Sequence, residues 1–352
     1  MNSGASKAAT MRHAVLFLIV FIPGICSICN AQPGALHGHV VDEDTGEPLE
    51  FANLFLASTT SGTSSDPQGA FVISGIPPGE YSMVISRVGY HRMTREISLK
   101  PAEVLEFTFR LKHKDLQTEE VQVYAPDPSE WNRLLKLFTR VFLGQTENAR
   151  ECAIRNPYLL DLRFDEARST LTARCDSPLI VENRSLGYLV SIEIDQFEWD
   201  TKRERIRYSL YPQFRELDRK EDDSATWADQ RQKTYRGSLR HFLKCAVTEA
   251  LTEEMFAVFT GGLEELSHGD GIFITSDDLN ITPDLLPGVY RMSFGGWIRI
   301  DYRGYIPWTR NLLTLHAPYV RVDRDGNVLT RYGVETGGSW AKCGIADLLP
   351  MH

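Results

Sequence analysis

Gly38-His39-Val40-Val41-Asp42 opens a stretch that runs to Leu111 and decides the fold of this end of the chain. A turn follows at Thr45-Gly46-Glu47-Pro48-Leu49, then a crowded apolar run, Phe51-Ala52-Asn53-Leu54-Phe55-Leu56. Gly62-Thr63-Ser64-Ser65-Asp66, Gly69-Ala70-Phe71-Val72-Ile73, the tight Pro77-Pro78-Gly79 and the run from Tyr81 to Gly89 continue the pattern, and Glu106 to Leu111 closes it. Short strands at regular spacing, with Gly, Pro and Asp between them, predict a seven-strand β-sandwich. Gly46, Gly69 and Gly79 suit turn positions that need positive φ, and Asp66 can bond the backbone of its own turn.

These residues resemble the carboxypeptidase regulatory-like domain, a transthyretin-like sandwich. The resemblance rests on Gly38, Val40 and Asp42, Thr45 to Leu49 with Ala52, Gly62, Thr63 and Asp66, Gly69 and Phe71, Pro78, Gly79 and Tyr81, and the closing Val88-Gly89-Tyr90. Ser65 departs from it, standing where that family usually has Thr. Because glycines and turn residues of this kind serve the scaffold, the module implies a fold and not an activity. The catalytic carboxypeptidases that carry such a domain bind zinc through a His and a Glu three residues on. In this chain the third residue after His37 is Val40, after His91 Thr94, after His113 Leu116, after His241 Lys244 and after His268 Gly271, so no metallopeptidase site is expected.

Toward the N-terminus, residues 1–31 read as a secretory signal. Lys7 and Arg12 precede an apolar run from Ala14 to Ile25, and Cys29-Asn30-Ala31 offers a small-residue cleavage site. The run is short for a membrane span, so no span is expected after its removal. Neither Cys26 nor Cys29 follows the small residue that a lipoprotein site wants, and Met11, directly before Arg12, is an alternative start. The formal charge of −9 becomes −11 without the leader, an acidic balance that argues against nucleic acid and anionic membranes as partners. Cys152, Cys175, Cys245 and Cys343 remain, either as disulfides in any of three pairings or as buried thiols.

Toward the C-terminus, Leu116 to Tyr124 alternates as one more strand, within a linker over 116–128. TonB-dependent outer-membrane receptors follow a similar module with a similar strand, a plug and a large barrel, but too little chain remains here for that barrel. A helix comes next: Asp127 as cap, Pro128 at the first position, Glu130 completing a capping box, and Trp131, Leu134, Leu135, Phe138, Val141 and Phe142 at helical spacing up to Gly144. Its stripe is read as core-facing, with a partner-docking groove as the alternative. From Leu159 strands return. Leu160, Leu162 and Phe164 pair with Leu171 to Cys175, and Gly187 to Trp199 alternates with Tyr188, Val190, Ile192 and Ile194 on one face and Glu193 and Asp195 on the wet one. Arg205 to Phe214 repeats the alternation, and the charged run Asp218 to Asp223 reads as a loop. A second amphipathic helix is expected from Ser238 to about Glu253. The last hundred residues read as strands with hairpins at Gly269-Asp270-Gly271 and Asp325-Gly326-Asn327. Asp323, Asp325 and Asn327 mimic a calcium loop, but Val328 and Val334 occupy the positions where an EF-hand needs Gly and Glu, so a turn between strands Tyr319 to Val322 and Val328 to Tyr332 is the reading.

The expected architecture is therefore mainly β: signal peptide 1–31, sandwich 32–115, connecting strand and linker 116–128, and a β-rich α+β domain 129–352 with two amphipathic helices. Fragments such as Phe142-Leu143-Gly144, Asn148-Ala149, Leu186-Gly187-Tyr188, Gly237-Ser238, His241-Phe242-Leu243 and Ala346-Asp347-Leu348-Leu349-Pro350 also resemble the second half of exported proteins that begin with this module. That resemblance implies association with the Gram-negative envelope and supplies no catalytic residue.

No Gly-x-Ser-x-Gly elbow, phosphate loop or paired His ligands at helical spacing occurs, and no cofactor or metal is expected. The leading reading is a non-catalytic, exported binding or assembly module of the envelope, in the periplasm or at the outer membrane or cell surface, that meets a protein partner through sheet edges or a helix groove. A carbohydrate-binding protein is the second reading, to be recognised by a row of exposed aromatics among Tyr81, Tyr90, Trp297, Tyr302, Tyr305 and Trp308. An unrecognised hydrolase is the third, and needs a cleft with converging carboxylates or His241; a small membrane barrel is a distant further one. Candidate binding residues are Tyr235, Arg240 and His241, as a small anion or sugar site, with Trp297, Tyr302 and Trp308.

Overall fold

A computed structural model describes residues 32–114, 128–218, 223–305 and 308–351. The leader, the strand expected over 116–124 and the Asp127 cap lie outside the described residues. The first stretch is the expected seven-strand sandwich. One sheet has the order β4-β1-β7 and the other β3-β2-β5-β6, from β1 (Gly34–Asp42), β2 (Asn53–Leu56), β3 (Gly62–Ser64), β4 (Ala70–Ile76), β5 (Gly79–Ser86), β6 (Met93–Leu99) and β7 (Val104–Leu111). Leu36, Val40, Leu54, Phe71, Met83, Ile85 and Phe109 fill the space between the sheets. β1 and β7 run parallel and so close together at Gly38, whose φ is +151°, that a Cβ there would lie 1.7 Å from the Phe107 carbonyl oxygen. The Asp66 carboxylate accepts the Gln68 and Ala70 N–H groups, the turn role its position suggested. Ser65 is buried: its hydroxyl donates to the Leu49 carbonyl and accepts the Ala52 N–H, tying the first turn to the second.

After α1 (Pro128–Leu143) and the single turn α2 (Glu147–Arg150), six strands form one sheet: β8 (Cys152–Ile154), β9 (Asp161–Asp165), β10 (Thr170–Arg174), β11 (Leu179–Asn183), β12 (Tyr188–Asp200) and β13 (Arg205–Glu216). β12 is its spine. It pairs with β11 at its start and with β10 at its end along one edge, and with β13 along the other. A bulge between Ile194 and Gln196 adds one residue, so the buried face passes from Tyr188, Val190, Ile192 and Ile194 to Phe197 and Trp199. The α1 stripe lies in this core, with the Phe138 and Phe142 rings 5.0 and 6.0 Å from Phe197. The core-facing reading of the helix therefore holds, and the docking-groove alternative is corrected: the sheet already fills that face.

The rest of the chain builds a third, separate core. α3 (Asp223–Tyr235) and α4 (Leu239–Val247) precede β14 (Phe256–Gly261), α5 (Leu263–His268), β15 (Ile272–Ile274), β16 (Thr282–Pro283), β17 (Val289–Met292), β18 (Trp297–Tyr302), β19 (Thr309–Leu315), β20 (Val320–Asp323) and β21 (Val334–Gly338). The sheets have the orders β15-β14-β18-β19-β21 and β16-β17-β20, and Phe242, Leu243, Met292, Ile298, Ile300, Leu313 and Val322 pack between them and α4.

Three expectations need correction here. α4 stops at Val247 rather than near Glu253, because the Thr248 hydroxyl bonds back to the Lys244 carbonyl and Glu249 turns to φ +59°. Gly269 is a helix C-cap at φ +104° after α5, not the tip of a hairpin. β20 pairs with β17, while Val328 makes only an isolated bridge to Val322; Asp323 accepts the Asp325 and Asn327 N–H groups, which accounts for the calcium-like run as a turn. No helix among the described residues is long and apolar enough to cross a membrane.

Candidate functional site

Tyr235, His241 and Tyr302 come together, and the reason is local. Ser238 caps α4 by accepting the His241 N–H, and Gly237, at φ +74°, reverses the chain against the Tyr302 ring, where a Cβ would lie 2.5 Å from a ring carbon. The reversal lets His241 Nδ1 accept the Gly237 N–H at 3.0 Å while the Gly237 carbonyl accepts the Trp340 indole N–H. With Nδ1 accepting, Nε2 carries the proton and points it at Glu254, 3.4 Å away. Tyr235 and Phe256 lie 5.0 Å from the imidazole and Tyr302 5.8 Å, so burial holds the His241 pKa below its ordinary value despite Glu254. Both ring nitrogens are engaged, which leaves the imidazole no free lone pair for a substrate proton.

Arg240 does not join this group. Its guanidinium donates to the Pro350 and Met351 carbonyls at 2.8 and 2.9 Å, so it anchors the C-terminal segment. Trp297 is half-buried at the far end of β18 from Tyr302, about 17 Å along the strand. Trp308 is 59% exposed, with the Arg303 guanidinium 4.9 Å from its ring. Of the aromatic row, Tyr81 and Tyr302 are buried, and the Tyr81 hydroxyl donates to the Pro77 carbonyl inside the sandwich. The row does not form one exposed surface.

The sequence reading missed two polar centres because their members are far apart in the chain. The first surrounds Asp347. Its carboxylate accepts the Thr146 hydroxyl at 2.8 Å, the Asn148 amide at 2.9 Å and the Gly344 N–H at 3.2 Å, while Asn148 also donates to Thr234 and accepts from Ser185 and Gln230. Asn183 donates to the Ala346 carbonyl beside it. Burial raises the Asp347 pKa above its ordinary value in spite of these donors. The centre thus sews α2, the β11–β12 turn, α3 and the C-terminal segment together. The fragments Asn148-Ala149 and Ala346-Asp347 entered the sequence analysis only through a resemblance, and nothing in their spacing says that they meet.

The second centre joins the sandwich to the rest. Arg92 reaches Asp195 at 2.5 Å and Glu193 at 3.6 Å with its guanidinium 5.2 Å from the Tyr211 ring, and Arg331 reaches the other Asp195 oxygen at 2.7 Å and the Ser209 hydroxyl. Glu193 and Asp195 therefore sit in a three-way junction, and the expected wet sheet face is corrected there: Glu193 is buried. Beside it, Phe55, Ala57 and Val84, on the outer face of a sandwich sheet, pack with Tyr211. The Pro212 carbonyl accepts the Ser58 N–H, and the Phe214 N–H donates to Thr59.

The sequence left open whether the cysteines pair. Cys152, Cys175, Cys245 and Cys343 are free thiols, with burial pushing Cys152 up to about 12 and Cys245 to about 11. Among the described residues no three His, Cys, Asp or Glu side chains form a group that could hold a metal. A groove of about 470 Å³ opens between Thr60, Tyr188, Phe214, Arg215, Glu216 and Pro350. A smaller one of about 190 Å³ contains Glu198 and Asp200, but Asp200 is bonded to Arg203 at 3.0 Å, so those two carboxylates are not a free catalytic pair.

The family comparison bears on about a quarter of the chain. Residues 36–123 match the family described as CarboxypepD_reg-like domain, so the N-terminal sandwich is a domain of that kind. No curated protein matches. Among solved structures, a type II cohesin–X-dockerin complex from Acetivibrio cellulolyticus aligns at 22% identity over 22% of this chain and 52% of that one, with a TM-score of 0.18. The pilus 2b backbone protein of group B streptococcus aligns at 16% identity over 23% and 42%, TM-score 0.20, and hydroxyquinol 1,2-dioxygenase from Pseudomonas putida at 12% over 31% and 68%, TM-score 0.21. The aligned part spans about half of the first of these chains. At such scores none of the three carries an argument about function.

Proposed function

We propose that this protein is a non-catalytic, exported binding or assembly module of the bacterial cell envelope, with a sandwich over residues 32–115 joined through 116–128 to a β-rich region over 129–352. The observation that carries the reading is how the sandwich is held. One sheet is covered at its middle strands β2 and β5 by the Tyr211 contact, while the other, β4-β1-β7, leaves His39, Val72, Glu106 and Thr108 exposed, with β4 and β7 as its outer strands. Val72, 62% exposed on β4, is an apolar residue on an edge that no charge protects at that position. A partner strand can add there through main-chain hydrogen bonds. The two residues best suited to chemistry, His241 and Asp347, have their polar atoms committed to holding the fold, which supports a binding role over a catalytic one.

The test is capture from gently solubilised envelopes by tagged protein of residues 32–352, with Val72→Lys in parallel. A stoichiometric protein partner lost on Val72→Lys is expected. Retention on isolated cell-wall glycan with no protein partner would replace this reading by the carbohydrate-binding one, and Trp308→Ala would then be the first variant to examine. Retention on neither would overturn both.

A further inference from the structure

Between Lys244 and Arg291 the chain has no lysine or arginine and nine acidic residues. Within this stretch lies β15, the outer strand of its sheet, which pairs with β14 alone. Its three residues are Ile272-Phe273-Ile274, with Ile272 72% and Phe273 59% exposed. Soluble proteins blunt such edges by keeping them short or with lysine, proline or a bulge; β15 is short but has none of the other three. Phe273 is also braced. Its ring meets Phe259 edge-on at 5.7 Å, and the buried Arg299 guanidinium lies 4.0 Å from Phe259.

Exposed carboxylates flank the strand on both sides, Asp270 two residues before it and Asp277 and Asp278 just after. Asp278 is partly committed to the Thr275 N–H. The nearest buried cation faces inward, Arg299 donating to the Asp270 carbonyl and pairing with Asp301, while Arg310, beside Gly269 and half exposed, approaches Asp301 at 3.8 Å.

We propose that β15 accepts an extended, basic segment of a partner protein by strand addition, with apolar side chains of the segment against Ile272 and Phe273 and its lysines or arginines toward Asp270, Asp277 and Asp278. A second copy of this chain suits the edge badly. Antiparallel pairing centred on Phe273 sets Asp270 of one copy level with Ser276 of the other, beside Asp277, and so gathers like charges. The proposal adds a surface to the binding-module reading and is tested apart from the β4 edge.

The probe is a fluorescein-labelled octapeptide of alternating lysine and valine, titrated by anisotropy against the full chain at low salt. Saturable binding is expected, weakened at least tenfold by Phe273→Lys or Ile272→Lys, lost at high salt, and unchanged by Val88→Lys, which adds the same charge at a position of the sandwich that is 92% exposed. Circular dichroism checks that each variant folds. Equal loss in Phe273→Lys and Val88→Lys, equal binding of a glutamate–valine peptide, or no binding would overturn the proposal. So would a dimer in sedimentation that Phe273→Lys dissolves, which would assign the edge to a second copy.

Discussion

His241 presents neither ring nitrogen to solvent, since Nδ1 accepts the Gly237 N–H and Nε2 faces Glu254 within an aromatic wall. His241→Ala leaves a cavity and an unpaired N–H, and is expected to cost about 2–4 kcal/mol, read as a lower denaturation midpoint. The pH dependence follows from the depressed pKa. The unfolded chain takes up a proton at His241 near its ordinary value of 6.5 while the folded chain resists, so this residue's contribution is full above that value and falls as pH drops through it toward the folded pKa. His241→Gln is expected to flatten the stability curve over that window in a pH series of denaturant melts. At Asp347 the sign reverses: burial raises its folded pKa, so its contribution weakens as pH rises through that pKa. Cys152, pushed up to about 12, stays a thiol at pH 8, and native alkylation by iodoacetamide is expected to be far slower there than in denaturant.

Among the elements, α1 and α3 stand at opposite ends of legibility. α1 repeats Leu134, Phe138 and Phe142 at helical spacing because a sheet needs one apolar stripe to cover it, and Phe138→Ala is expected to cost about 3–5 kcal/mol. α3, Asp223–Tyr235, is polar almost throughout and escaped the sequence reading. Its anchor is Trp227, which lies against Gly187 and donates its indole N–H to the Arg184 carbonyl. At Gly187 a Cβ would come within 2.2 Å of that ring, at φ +71°. Gly187→Ala should lower the melting temperature and redden tryptophan emission, and in Gly187→Ala/Trp227→Ala the loss should be less than the sum of the single losses.

Over the whole molecule, the sandwich is docked rather than tethered loosely. Apolar contact at Phe55, Val84 and Tyr211 supplies most of the docking energy, because partly exposed ion pairs such as Arg92–Asp195 contribute only about 0–1 kcal/mol. Tyr211→Ala is therefore expected to speed hydrogen exchange at Phe214, whose N–H is held by Thr59, far more than Arg92→Ala does.

The sandwich and its turns were legible from Gly38, Asp66 and the short apolar runs, because strand period and turn chemistry are local properties. The α1 stripe and the alternation of β12 up to Ile194 were legible for the same reason. The bulge after Ile194, the meeting of Asn148 with Asp347, the grip of Arg240 on Pro350 and the junction of Arg92, Asp195 and Arg331 were not. Each depends on residues brought together across long stretches of chain, and a polar side chain reads the same in sequence whether its partner is water or a buried amide. Only the tertiary structure, by removing water from one set and leaving it to another, decided that Tyr235, His241 and Asp347 belong to the frame and that Val72, Ile272 and Phe273 stay exposed at sheet edges.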